Sequence, residues 1–246
     1  MNIKRNKSFI ISWFQINIHN MITIVIHYKN RKEHLKAYLN NVLSYKTQTP
    51  YELLVVEQEE AKPFNRGLMK NIGFTLRHPE SDYVIFNDVD IIPTETMFQE
   101  YMKKTDTRRY LSAHHGCMGG VVGYHHKCFE NTNGFPNVIF EWGVEDRILF
   151  YRTKHRGYDI KNENNTLGNR SVVKQFMLKP NNDSDPRTIS NWLKSYDVTQ
   201  TKSFENRLKN DDFESLLQSD GLNTLPSFNI VDQQRNGNVK HIKVSI

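Results

Sequence analysis

The 246-residue sequence has only two cysteines, Cys117 and Cys128. Two thiols cannot build a disulfide framework, and no Cys/His spacing suggests zinc, so a reducing compartment is expected. Also missing is an unbroken run of about 18 apolar residues, the length a membrane-spanning helix needs. Met1–Ser8 is basic and Phe9–Ile18 is partly apolar, but Ser12, Gln15, Asn17, His19 and Asn20 interrupt the stretch. Residues 1–20 therefore read as a poorly ordered extension rather than a signal or stable membrane anchor, and a soluble cytoplasmic protein is expected. No block of Lys and Arg occurs; the net charge of +6 is scattered. With no recognised nucleic-acid motif beside it, such a charge argues against nucleic acid and suits a site for diphosphate anions. Repeats and linkers are absent too, so residues 21–246 are expected to form a single α/β domain.

What is there begins with alternation. Met21–Tyr28 (MITIVIHY) is a continuous apolar, β-branched run, as for a strand buried on both faces. In Arg31–Ser44 the residues Leu35, Tyr38, Leu39, Val42 and Leu43 recur at helical spacing. Tyr51–Gln58 predicts a second strand, Phe64–Leu76 a second helix, and Ser81–Ile92 a third strand ending in acids before Pro93. Strand, helix, strand, helix, strand implies a parallel sheet with right-handed crossovers. Later, Gly119–Tyr124 predicts a strand, and Glu145–Arg156 a helix with acids first, bases last and Gly157 beyond. Asn238–Ile246 predicts a closing strand after an Asn236-Gly237 turn. From Lys161 to Asp212 the chain is polar, Asn-rich and without a clear pattern.

Two constellations carry chemistry. Open α/β sheets bind ligands at the carboxyl ends of their strands, where Asp88 and Asp90 fall. On an extended chain, residues i and i+2 point the same way, so both carboxylates are expected to address one site. Two such acids repel unless a cation joins them, and Mg²⁺ or Mn²⁺ holding a diphosphate is the economical answer. A solvated strand end accounts for an isolated Asp-x-Asp equally well. The second constellation is Trp142-Gly143-Val144-Glu145-Asp146. An aromatic plane packs on a sugar face while carboxylates accept hydrogen bonds from its hydroxyls. Alone, it also fits a helix start with favourable acids and a buried Trp.

Together these stretches resemble the β-1,4-galactosyltransferase family. The matching segments are HYKNRKEHL (27–35), FNRGLMKNIGF (64–74), FNDVDIIP (86–93), GGVVGYHHKCFENTNGFPN (119–137), WGVEDRILFYR (142–152) and SDGLN (219–223). The resemblance implies a GT-A fold with a central, mostly parallel twisted sheet flanked by helices. It further implies an inverting mechanism, a UDP-sugar donor, a carbohydrate or glycoconjugate acceptor, and Mn²⁺ or Mg²⁺. By position, Tyr28, Lys29, Arg31, Phe64 and Arg66 would hold the uridine and its surroundings. Asp88, Val89 and Asp90 would line the UDP–metal site, with Asp90 the direct ligand. Trp142 would close over the donor, Glu145 would hold the acceptor, and Asp146 would be the general base.

Three departures accompany the likeness. Met177 falls at a metal-ligand position, but Pro180 stands where the family has His, leaving Asn181, Asn182, Asp183 or Asp185 as substitutes. Cys117 replaces a bulky aromatic near the sugar 2-position, so GalNAc, GlcNAc or glucose joins galactose as a possible donor sugar. The stretch from Pro93 to Gly119 is short, with His114 or His115 in place of a phosphate-contacting Lys, and Arg147 follows Asp146 where an acid is usual. Two other readings stand beside the enzyme. One is a catalytically silent carbohydrate-binding module of the same fold. The other is a metal-dependent nucleotidyltransferase or phosphoesterase, which gives no role to the Trp-Gly-x-Glu-Asp stretch.

Overall fold

The apolar run Met21–Tyr28 is strand β1, and nearly all of it is buried, as an unbroken β-branched stretch requires. The computed structural model describes residues 21–59, 62–112, 118–141, 145–158, 173–175 and 220–246, with backbone alone for 109–112 and 173–175. Strands β2 (Tyr51–Gln58) and β3 (Ser81–Asp88) flank β1, both parallel to it. Helix α1 (Lys32–Val42) crosses from β1 to β2, and α2 (Arg66–Thr75) from β2 to β3. Asn65 caps α2, its side chain accepting from the Leu68 amide at 2.9 Å.

The remaining elements are β4 (Ile91–Pro93), α3 (Glu95–Tyr101), β5 (Arg108–Ser112), β6 (Val121–His125), α4 (His126–Asn131), α5 (Glu145–His155), β7 (Val173–Gln175), β8 (Asn229–Asn236) and β9 (Val239–Ser245). Among the described residues the main sheet runs β5-β6-β3-β1-β2-β9-β8. Its four central strands are parallel, while β5, β6 and β8 pair antiparallel at the edges. The carboxyl ends of β1, β2 and β3 share one edge, since His27 lies opposite both Val56 and Asp88.

Strand alternation sorts the core onto two faces. Ile22, Ile24 and Ile26 pack with Leu35, Tyr38 and Val42 of α1 and Met97, Phe98 and Tyr101 of α3. Val25, Val84 and Phe86 pack with Leu68, Met69 and Ile72 of α2, Phe129 of α4 and Leu149 of α5. Cys128 belongs to this second face, and burial pushes its thiol up to about 12, which marks a packing residue rather than a nucleophile. Among the described residues no helix is long and apolar enough to cross a membrane.

One predicted element needs correction. The third strand does not continue to Ile92: it ends at Asp88, the chain turns at Val89–Asp90, and β4 then pairs with β7. Asn87 closes this turn. Its side chain is fully buried, donates to the carbonyls of Asp88 (2.7 Å) and Ile91 (2.9 Å), and accepts from the hydroxyls of Tyr38 and Tyr101.

Candidate active site

Because the chain turns after Asp88, its two acids do not point the same way along one strand. Asp88 Oδ1 meets His27 Nε2 at 3.1 Å, whereas Asp90 Oδ2 accepts from Arg31 at 3.0 Å. His27 lies near the end of β1 and Arg31 in the turn that follows it, so the acids still share the carboxyl edge of the sheet. Val89 between them is buried. Burial opposes ionisation of Asp88, but His27, Lys70 and Arg66 outweigh it and hold this carboxyl well below the usual range. His27 is shifted down by its own burial and then by Lys70.

The second acid pair opens α5. Glu145 and Asp146 occupy its first turn, and Arg152, Lys154 and His155 its last, an order that complements the helix dipole. The segment before β6 ties them to the first pair: the Asp88 amide donates to the Gly120 carbonyl at 3.0 Å, and the Met118 amide to the Asp146 carbonyl at 3.2 Å. Three consecutive residues thus hold the end of β3 and the start of α5 side by side. Lys70 of α2 stands between the two acid groups, its Nζ 2.9 Å from Asp146 Oδ1 and its charge acting on Asp88 and Glu145.

Glu145 is 4% exposed, and its Oε2 has no hydrogen-bond partner among the described residues. Burial and the neighbouring Asp146 push its carboxyl up to about 7, against the opposing charges of Lys70 and Arg66. Gly67 permits this packing, because a Cβ there would meet the Pro136 carbonyl at 2.4 Å and lie 3.5 Å from Glu145 Cβ.

The β2–α2 loop forms the adjoining wall. The buried Gln58 side chain donates to the carbonyls of Lys62 (3.1 Å) and Pro63 (2.8 Å) and accepts from the Asn65 amide (2.8 Å). Phe64 stacks on His27 with ring centroids 6.1 Å apart, and Arg66 lies over the Phe64 ring at 5.3 Å. Glu141 accepts from the Phe64 amide, donates its own amide to the Phe64 carbonyl, and takes a positive φ of 62°. Lys29 donates to the Lys62 carbonyl. Tyr28 is 2% exposed, its ring packed in the core and edge-on to His241.

Of the remaining sequence expectations, Cys117, Trp142, Met177, Pro180, His114 and His115 lie outside the described residues, as do the substitutes Asn181 to Asp185 and the stretch Arg187–Asp212. Strand β7 sets Gln175, two positions before Met177, opposite Ile91, next to Asp90. Sequence reasoning missed His27, Lys70, Gln58 and Asn87. Lys70 had left a signal: it is a cation set among Leu68, Met69, Ile72 and Phe74 of one helix.

Comparisons with known proteins now bear on this geometry. The family model described as the N-terminal region of glycosyl transferase group 7 matches residues 15–102, and that described as the N-terminal domain of galactosyltransferase matches residues 100–175. β-1,4-Galactosyltransferase 5 of Sus scrofa is 31% identical over 159 residues, covering 60% of this chain and 41% of that protein. The chain belongs to the β-1,4-galactosyltransferase family.

Another β-1,4-galactosyltransferase relative, protein 1 of Mus musculus, is 28% identical over 227 residues, 87% of this chain and 52% of that one. The chain thus spans about half the length, or less, of these curated relatives. The catalytic domain of Drosophila β-1,4-galactosyltransferase 7, solved with xylobiose, superposes with a TM-score of 0.63 at 16% identity, covering 92% of this chain and 94% of that one. A mutant of the same Drosophila protein, solved with manganese, UDP-Gal and xylobiose, gives a TM-score of 0.62. The fold is therefore GT-A, as the resemblance implied.

Proposed function

We propose that this chain is an inverting, metal-dependent glycosyltransferase that moves a hexose, galactose first, from a UDP-sugar to a sugar hydroxyl. The observation that carries the reading is the convergence of Asp88, Glu145 and Asp146 on Lys70 at the carboxyl edge of the sheet. The family match and the UDP-Gal, manganese and xylobiose bound by the Drosophila relative support it.

The donor set suits a hard divalent cation. Asp88 and Asp90 supply carboxylate oxygens, and Asp88 Oδ1 is buried with only the His27 contact. Two carboxylates at one sheet edge fit ions that take a few carboxylates plus phosphate oxygens. Asp90 is assigned as the direct ligand, with Asp88 beside it and Met177 as the further candidate, since β7 leads toward the Asp90 turn. Mn²⁺ or Mg²⁺ held by these residues would supply positive charge against the diphosphate.

Tyr28, Lys29, Arg31, Phe64 and Arg66 are assigned to the nucleotide side, and Trp142 and Cys117 to the donor pocket. Glu145 holds the acceptor: an unpartnered buried carboxyl is suited to bonding sugar hydroxyls. Asp146 takes the proton from the attacking hydroxyl as the new C–O bond forms at the anomeric carbon. The bond to UDP breaks on the opposite face, and its electron pair leaves with the diphosphate. A cytoplasmic setting goes with this reading, on the sparse cysteines of the chain.

The test is a panel of UDP-sugars with Mn²⁺, scored for UDP release with and without simple sugar acceptors. UDP release that rises with an acceptor supports the transferase. Sugar binding with no release from any donor points instead to a silent carbohydrate-binding module, and release of phosphate or pyrophosphate to a different reaction class.

A further inference from the structure

Among the described residues, Lys70 is a charged group of the cleft to which donor, metal and acceptor binding assign no task. It lies in the middle of α2, a helix whose residues from Gly67 to Phe74 are all buried, and it is 2% exposed itself. Its ammonium is 2.9 Å from Asp146 Oδ1 and 4.6 Å from the centroid of the Phe135 ring. An ammonium in such a place is strongly disfavoured unless opposite charges surround it. Burial alone pushes Lys70 toward neutrality, but Asp146, Asp88 and Glu145 together reverse that shift and keep it charged.

The other member of the pair is less enclosed. The Asp146 side chain is 24% exposed, and the hydrogen bond from Lys70 falls on its Oδ1. The pair thus joins a cation of the protein interior to a carboxylate that solvent reaches.

We infer that Lys70 is a positioning residue for the transfer step: its ammonium fixes Asp146 through Oδ1 and leaves Oδ2 as the oxygen that receives the acceptor proton. The inference rests on the transferase reading above and deepens it. During the step Lys70 neither gives nor takes a proton. Asp146 becomes neutral when the acceptor proton arrives, and the charge of Lys70 is then balanced by Asp88 and Glu145. A misplacement of about 1 Å at a reacting group costs on the order of 10²-fold in rate, so loss of this tether acts on turnover rather than on donor binding.

The test uses the full chain with UDP-galactose and Mn²⁺, and with xylobiose or N-acetylglucosamine as acceptor. Lys70→Met is expected to lower kcat by about 10- to 100-fold while donor KM stays within about 2-fold, because the tether serves the transition state rather than the ground state. Lys70→Arg, which keeps the charge in a different shape, is expected to fall between wild type and Lys70→Met. In Lys70→Met/Asp146→Asn the two losses are expected not to add, as for residues acting as one unit. If Lys70→Met loses the fold by thermal melting, Lys70→Gln takes its place. An active wild type whose uncharged variant keeps its kcat overturns the role of Lys70 alone, as do fully additive losses. A wild type that releases no UDP from any donor in the panel sinks the transferase reading and this inference with it.

Discussion

Two carboxylates at the same edge of the sheet, Asp88 at the end of β3 and Glu145 at the start of α5, are driven in opposite directions. Desolvation opposes ionisation of both. Asp88 gains a direct partner in His27 and is held well below the usual range. Glu145 has a like-charged neighbour in Asp146 and an oxygen without a partner, and it rises to about 7. Burial alone therefore does not decide the charge of a carboxyl; the hydrogen bonds it accepts and the charges around it decide whether burial wins. Under the proposed function this division has a use, since a donor and metal subsite needs fixed anions and an acceptor subsite needs a carboxyl able to bond hydroxyls.

The largest break in that comparison comes from the proton acceptor. Asp146→Asn is expected to lower transfer by about 10²- to 10⁴-fold, the range of a lost general base. UDP binding should stay close to wild type, while the melting temperature falls because the buried Lys70 loses its direct partner; undiminished turnover would remove Asp146 from the role. Next comes the donor side. Asp90→Asn is expected to weaken Mn²⁺ binding by at least about 10-fold, a scale at which even outer partners of a metal register. Calorimetric titration with Mn²⁺ in the presence of UDP reads this directly, without turnover.

The smallest effect lies in stability and sharpens the contrast. The Glu145 carboxyl is raised in the folded chain from an ordinary 4.5 to about 7, so between these values the folded chain binds more protons than the unfolded one. Stability then falls as pH rises from about 4.5 to about 7, by on the order of 2–3 kcal/mol. Glu145→Gln has no such proton to lose. Melting temperatures at pH 5 and pH 8 are expected to differ by several degrees less in that variant than in wild type.

Much of the scaffold was legible before any coordinates. β1 and β2 have the predicted bounds, and α5 ends near the predicted residue with Gly157 at a φ of 74°. Elements without a periodic apolar pattern went unread. α3 and α4 are short, and β8 is exposed at every position, so only pairing with β9 makes it a strand. The acids were found because short motifs mark them, but the expectation that Asp88 and Asp90 extend along one strand failed on Asn87. That side chain draws the Asp88 and Ile91 carbonyls together through contacts local spacing does not encode.

The sequence by itself determined the alternation of strands and helices, the edge at which the ligand side chains gather, and the family. These depend on periodicity and on short motifs, which are local. Tertiary structure alone decided that Lys70 answers Asp146, 76 positions away, that His27 answers Asp88, and that Glu145 keeps an unpartnered oxygen. Charges act through space and through whatever has been desolvated around them, so their roles emerge only once the chain has folded.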